Sequence, residues 1–327
     1  MQNTERRAGA LCFVDSSIGH AKMEAVSYQP RCIVDAHHHV WDTRLGVYPW
    51  LCEDPPIPFR YGDYAPIRRP YLPDDYRRDA SPFEISASVY IEAEWSHHDP
   101  VGEMDYIARL RAEEGLPSVA VAQAWMDRAD CAAVLESHAA RGFVRSIRHK
   151  PRSNPKPGGA PGAMTDARWR AGFARLAPHG LRFDLQTPWW HLYEARALAD
   201  AFPSTLMILN HAGLPSDRSA HGIVGWRAAM SEIARAENVA VKISGIGQPG
   251  MPWTAASNRD VVLTVIELFG VERCMFASNF PVDSLCGSFS DIFGGFGNIV
   301  ADFSTAERDA LFACNARRLY AIGEANG

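Results

Sequence analysis

Three histidines at the ends of apolar runs are the residues in this chain best suited to chemistry. His37 and His39 stand two apart in the run from Ile33 to Val40, and side chains two apart on a strand share a face. On that reading Asp35, His37 and His39 look one way, and Val34, Ala36, His38 and Val40 the other. Two neutral imidazoles on one face suit zinc or a similar divalent ion, which then needs a third ligand and an open position for water or substrate. His211, at the end of a later run, supplies the third. In the second run Val89, Ile91 and Ala93 make an apolar face, so Tyr90, Glu92 and Glu94 are expected to point inward, where carboxylates need partners. Arg148 stands near the end of the fourth run, and its planar fork would hold the carboxylate of an acidic substrate. Asp184 and Gln186, then Lys242 and Ser244, belong to later runs. A plain internal salt-bridge network is the competing expectation for Glu92, Asp184 and Lys242. His149, on the opposite face from Arg148, and the loop residues His97 and His98 are expected to be structural.

Elements of two kinds must position these groups. Short β-branched runs at 32–41, 85–95, 118–126, 144–150, 182–188, 205–213, 239–247 and 273–281 alternate with segments of helical period near 100–114, 129–140, 166–178, 190–201, 222–236 and 257–269. A last helix is expected over 305–322. Eight such units predict the α/β class and a single (β/α)8 TIM-type barrel over 31–322, with its site at the C-terminal ends of the strands. Residues 1–30 read as an N-terminal extension, mobile or capping the barrel, and 323–327 as a tail. A long Pro- and Tyr-rich loop at 42–84 follows the first strand, and loops of that length inside a domain are typically lids or binding loops. Tyr48 and Trp50 are expected to close over a substrate ring. Irregular stretches at 151–162 and 283–298 are placed on the same face.

The composition, 47% hydrophobic and 22% charged, supports a globular core. A net charge of -5 without runs of like charge argues against nucleic acid or membrane as partner, leaving a small molecule. Seven scattered cysteines without a C-x-x-C pair argue against a disulfide framework and a thiolate zinc site, so a reducing cytoplasm is the expected location. No apolar stretch approaches bilayer length, and no signal-peptide core follows the start. Oligomeric state stays open, with a homo-oligomer among the options.

Several motifs occur in order along residues 31 to about 321. They are Val-Asp-Ala-His-His-His-Val-Trp-Asp at 34–42, Tyr-Pro-Trp-Leu at 48–51, Ile-Glu-Ala-Glu-Trp at 91–95, Ile-Arg-His at 147–149 and Phe-Asp-Leu-Gln at 183–186. Leu-Asn-His-Ala-Gly-Leu-Pro at 209–215, Val-Lys-Ile-Ser-Gly at 241–245 and Ala-Ser-Asn-Phe-Pro-Val-Asp at 277–283 complete the set. Together they resemble the amidohydrolase-2 group of the amidohydrolase superfamily, in particular the branch of sugar lactonases and 2-pyrone-4,6-dicarboxylate lactonases. The resemblance implies hydrolysis of a cyclic ester of an acidic or polyhydroxylated substrate, a sugar acid or an aromatic-degradation dicarboxylate, with His37, His39 and His211 around a divalent metal, zinc first, or polarising the carbonyl without one. The group usually carries Ser-Asp-aromatic-Pro after the eighth strand, where this chain has Asn279. An amide cannot take a proton from water, so Asp283, Glu94 or His211 must act as base while Asn279 binds substrate or water. A metal-dependent non-oxidative decarboxylase and a non-catalytic ligand-binding barrel are the rival expectations.

Overall fold

Eight short parallel strands pair in sequence order: β1 Ile33–His38, β2 Ile85–Ile91, β3 Val119–Gln123, β4 Val144–Arg148, β5 Arg182–Leu185, β6 Met207–Leu209, β7 Val239–Ile243 and β8 Cys274–Phe276. Just past β8 the sheet meets β1 again, where the Asn279 N–H donates to the His37 carbonyl and the His39 N–H to the Phe280 carbonyl, both at 2.7 Å. The result is the predicted (β/α)8 barrel. This computed structural model describes residues 30 and 32–323; the extension and the tail fall, but for one residue each, outside the described residues.

Strands covered on both faces are apolar throughout rather than alternating, and here the two faces form two clusters. Val34, Ala36, Val89, Ile91, Val121, Ile208, Ala240, Met275 and Ala277 fill the barrel. Ile33, Ile147, Phe183, Leu209, Val241 and Phe276 pack outward against the helices. Those helices start where short polar side chains satisfy free N–H groups: Asp166 accepts from the Trp169 N–H, Ser219 from Gly222 and Thr254 from Ser257.

A polar cluster around Asp184 interrupts the apolar interior. Lys242 Nζ lies 2.6 Å from Asp184 Oδ1, and the Tyr320 hydroxyl donates to both Asp184 oxygens at 2.8 and 3.0 Å. Asn210 Nδ2 donates to the same carboxylate at 3.1 Å. The internal-network expectation therefore holds for Asp184 and Lys242, and the C-terminal segment, through Tyr320, is part of the barrel's interior.

The second strand reverses the expected faces. Val89 and Ile91 face the barrel axis, whereas Tyr90 points to the helix layer and donates to Glu103 at 2.8 Å. Glu92 reaches the mouth only because the chain leaves the strand after Ile91. In β1 a register shift between Asp35 and His38 breaks the period of two. Asp35 faces outward to accept from Tyr76 at 2.9 Å and from Ser278 Oγ at 2.6 Å, so it does not share the face of His37 and His39.

The stretch 283–298 is not irregular: a helix spans Phe289–Ile299, begun by a capping box of Ser288 and Asp291. Its glycines mask the helical pattern, but a Cβ at Gly295 would lie 2.1 Å from the Trp253 ring, so close packing requires the glycine. The loop at 42–84 is likewise built, with a one-turn helix at Pro49–Cys52, a helix at Pro73–Ala80, and Tyr61, Tyr64, Tyr71 and Tyr76 buried. Segment 151–162 is held on Trp190, whose indole N–H donates to the Asn154 carbonyl at 3.0 Å.

Candidate active site

Every strand stops short of its predicted C-terminal end, and the residues released there build the site. Glu94 after β2, His211 after β6, Gly245 after β7 and Asn279 after β8 have φ of 58°, 54°, 58° and 56°. Left-handed backbone is uncommon for residues other than glycine; its recurrence at three strand ends turns side chains into the mouth that a continued strand would carry past it. His211 thus lies two residues beyond β6 rather than ending it.

The three predicted histidines do come together. The His37 ring centre is 4.6 Å from that of His211 and 5.1 Å from that of His39. His39 Nδ1 lies 2.8 Å from the Ile91 carbonyl; a carbonyl only accepts, so Nδ1 carries the proton and Nε2 keeps its lone pair. His211 Nδ1 meets Ser244 Oγ at 3.1 Å. Both ring nitrogens of His37 are buried without a hydrogen-bond partner among the described residues. Burial holds all three imidazoles well below the usual histidine range, reinforced by Lys242 at His37, Arg148 at His39 and Arg60 at His211. They are neutral bases at pH 7.

A cavity of about 220 Å³ opens beside them, lined by His39, Trp50, Phe59, Arg60, Glu94, Arg148, Lys150 and Gln186 among others. Trp50 and Phe59 stack at 5.7 Å and 12° and form its flat wall. Tyr48, expected over the substrate with Trp50, is instead fully buried, its ring edge-on to Trp95 at 5.3 Å. Arg148 is not the free carboxylate clamp its type suggested. Its Nε and Nη2 are taken by Glu92, at 2.5 Å to Oε1 and 2.6 Å to the carbonyl, leaving Nη1 facing Gln186 Oε1 at 3.3 Å. Glu94 is ion-paired with Lys150 at the rim. His149 sits in the helix layer, as its place opposite Arg148 implied, beside the indole N–H of Trp169 at 3.0 Å, and His97 and His98 are exposed loop residues.

Asp283 lies behind the wall. Its Oδ1 accepts from Asn279 Nδ2 at 2.6 Å and from the Tyr61 hydroxyl at 2.9 Å, and Arg60 is 3.7 Å away. Burial pushes the carboxyl up, against the pull of Arg60 and these donors. Asn279 therefore spends its amide on Asp283. Arg60, absent from the sequence expectations, connects the parts: Nη1 donates to the Gly245 carbonyl at 3.0 Å, and its other face lines the cavity. It sits inside an aperiodic loop, and nothing in its neighbours' spacing marks it.

As a metal seat the donor set is a poor fit. The bare nitrogens of His37 are of the right kind, but among the described residues no three His, Cys, Asp or Glu side chains are grouped closely enough to hold an ion. Among the described residues no carboxylate joins the rings, and Lys242, Arg148 and Arg60 all act on them with positive charge, which opposes a dication.

The histidines and the small, flat-walled cavity thus lie at the C-terminal mouth of a (β/α)8 barrel, where this architecture carries its active sites. The chain belongs to the amidohydrolase family, whose model matches residues 34–322. It is 38% identical over 296 residues, 89% of this chain and 98% of the other, to the uncharacterized protein y4mH of Sinorhizobium fredii. It is also 25% identical over 307 residues, 89% of this chain and 96% of the other, to the L-fucono-1,5-lactonase of Burkholderia multivorans. An amidohydrolase of Burkholderia multivorans solved with bound HEPES superposes with a TM-score of 0.74 at 24% identity, and with bound zinc at 0.73 and 23%. Both alignments cover 89% of this chain and 100% of that one.

Proposed function

We propose that the protein is a lactonase that opens the cyclic ester of a sugar acid by water attack. The observation that carries the reading is His39, whose Nδ1–H is fixed on the Ile91 carbonyl so that a bare Nε2 is left at a ring-sized cavity. The similarity to an L-fucono-1,5-lactonase supports the substrate class.

In the proposed reaction the lactone ring lies against Trp50 and Phe59, with its carbonyl toward Arg60 and Arg148 Nη1. Water attacks the carbonyl carbon as its proton passes to His39 Nε2. Preorganised cationic donors stabilise the oxyanion as it forms, where water is excluded and their effect is large. Collapse breaks the ring C–O bond, and His39 returns the proton to the leaving alkoxide, giving the open hydroxy acid. The neutral rings of His37 and His211 pack behind His39, the His37 ring centre lying 5.1 Å from that of His39 and 4.6 Å from that of His211. Asp283 orients Arg60, and Glu94 holds Lys150.

The test is proton release from a panel of sugar-acid lactones, with and without prior chelation, using wild-type protein and His39→Gln. We expect chelation to leave the rate unchanged and His39→Gln to lower kcat by roughly 10²- to 10⁴-fold, the usual share of a general base. Unaltered turnover in His39→Gln would remove His39 from the mechanism. Carbon dioxide release from aromatic acids, with every lactone inert, would replace the hydrolase with a decarboxylase.

A further inference from the structure

A second cavity, about 470 Å³, lies directly against the first and shares Trp50, Ile57 and Glu94 with it. Its remaining walls include Glu53, Asp54, Trp95, His97, Gln123 and Trp125. The small cavity has room for one six-membered ring; the larger one is unused by the reaction above.

The chemistry of the larger cavity differs. Three indoles line it, each held by neighbours: Trp50 by Trp41 at 5.6 Å edge-on, Trp95 by Tyr48 at 5.3 Å, and Trp125 by Arg128, whose guanidinium carbon lies 4.6 Å from the ring centre. Rings locked in this way present π faces without further loss of side-chain freedom on binding. Among the described residues no lysine or arginine lines the cavity, so an anion finds little free counter-charge there. Two of its three carboxylates are already paired, Asp54 with Arg68 at 2.9 Å and Glu94 with Lys150, which leaves oxygen lone pairs but little net charge to attract a cation. Electron-rich ring faces pack against C–H-rich surfaces, while carboxylate and amide oxygens accept from hydroxyls. That combination recognises a neutral, polyhydroxylated ring.

We infer that the second cavity is a subsite for a neutral sugar ring, so that the preferred substrate is a disaccharide lactone whose lactone ring occupies the small cavity and whose second ring lies on Trp95 and Trp125. This rests on the lactonase reading, and the experiment separates the two. Rates are measured for a monosaccharide aldonolactone and for the lactone of a disaccharide aldonic acid. In parallel, binding of a non-hydrolysable disaccharide alditol is followed by tryptophan fluorescence. We expect kcat/KM for the disaccharide lactone to exceed that for the monosaccharide by about tenfold, the gain of one good aromatic contact. Trp125→Ala should abolish that advantage and alditol binding while leaving monosaccharide turnover unchanged, and His97→Ala, at an exposed position, should reduce both in a protein of unaltered fold. Equal rates on the two lactones, alditol binding that survives both substitutions, or clear preference for an amino sugar would overturn the subsite. Trp125-dependent alditol binding with no lactone turned over would uphold the subsite and sink the lactonase.

Discussion

Replacing Lys242 by methionine tests how the barrel interior is held together. Lys242 and Asp184 are both fully buried, 2.6 Å apart. Removing one member of a buried ion pair costs about 3–5 kcal/mol, because the other charge is left without compensation. Tyr320 and Asn210 still donate to Asp184, so the lower half of that range is expected for Lys242→Met. Converting both residues, in Lys242→Met with Asp184→Leu, should recover most of the loss, since apolar replacements of a whole pair are often neutral. The coupling is read from denaturant midpoints of the two single variants and the double variant. The native pair also carries a pH signature. Burial lowers the Lys242 ammonium from 10.5 to about 8, so below pH 8 the folded state bears the cost of a charged lysine. Between pH 8 and 10.5 the unfolded chain holds the proton more tightly, and stability attributable to this residue rises with pH by about 3 kcal/mol. Lys242→Met should lack that rise. A cost below about 1 kcal/mol for the single variant, or a double variant worse than either single one, would refute the ion-pair account.

Two further outcomes follow from the strand ends. Asn279→Asp sets a carboxylate where Nδ2 now lies 2.6 Å from Asp283 Oδ1; two acids that close share one proton, so the variant should lose stability relative to wild type as pH rises above about 4, read by urea denaturation across pH. Gly245→Ala places a Cβ 2.3 Å from His211 Nδ1 and 2.8 Å from Arg60 Nη2 at a φ of 58°; turnover should fall at least about tenfold, and a variant with wild-type kcat would show that His211 and Arg60 need not be held as they are.

The barrel was readable because strands covered on both faces keep their apolar runs whatever the details of packing, and because capped, amphipathic helices separate them. The histidines were readable for the same reason: they terminate such runs. What failed was the extension of a period of two beyond the strand ends. Left-handed turns at Glu94, His211 and Asn279 leave no periodic trace, and the bulge in β1 takes Asp35 away from His37. The facing of β2 was lost because apolar residues fit either side of a sheet buried on both. Arg148 was identified as a mouth residue, but its engagement by Glu92 depends on a contact across 56 positions. Arg60 acts through a carbonyl 185 residues away, and only the closed barrel brings the two together.

Tyr320 gives the fold an order of completion. Its hydroxyl is part of the charge balance of Asp184 on β5, the Arg182 guanidinium on the same strand is bound by the Leu319 carbonyl, and Asn315 Nδ2 ties the Val271 and Cys274 carbonyls at 2.8 Å. During synthesis, β5 emerges well over a hundred residues before these partners. A chain lacking Tyr320 would leave the Asp184 carboxylate without that donor and Arg182 without the Leu319 carbonyl, so the interior is sealed only once this C-terminal segment has packed.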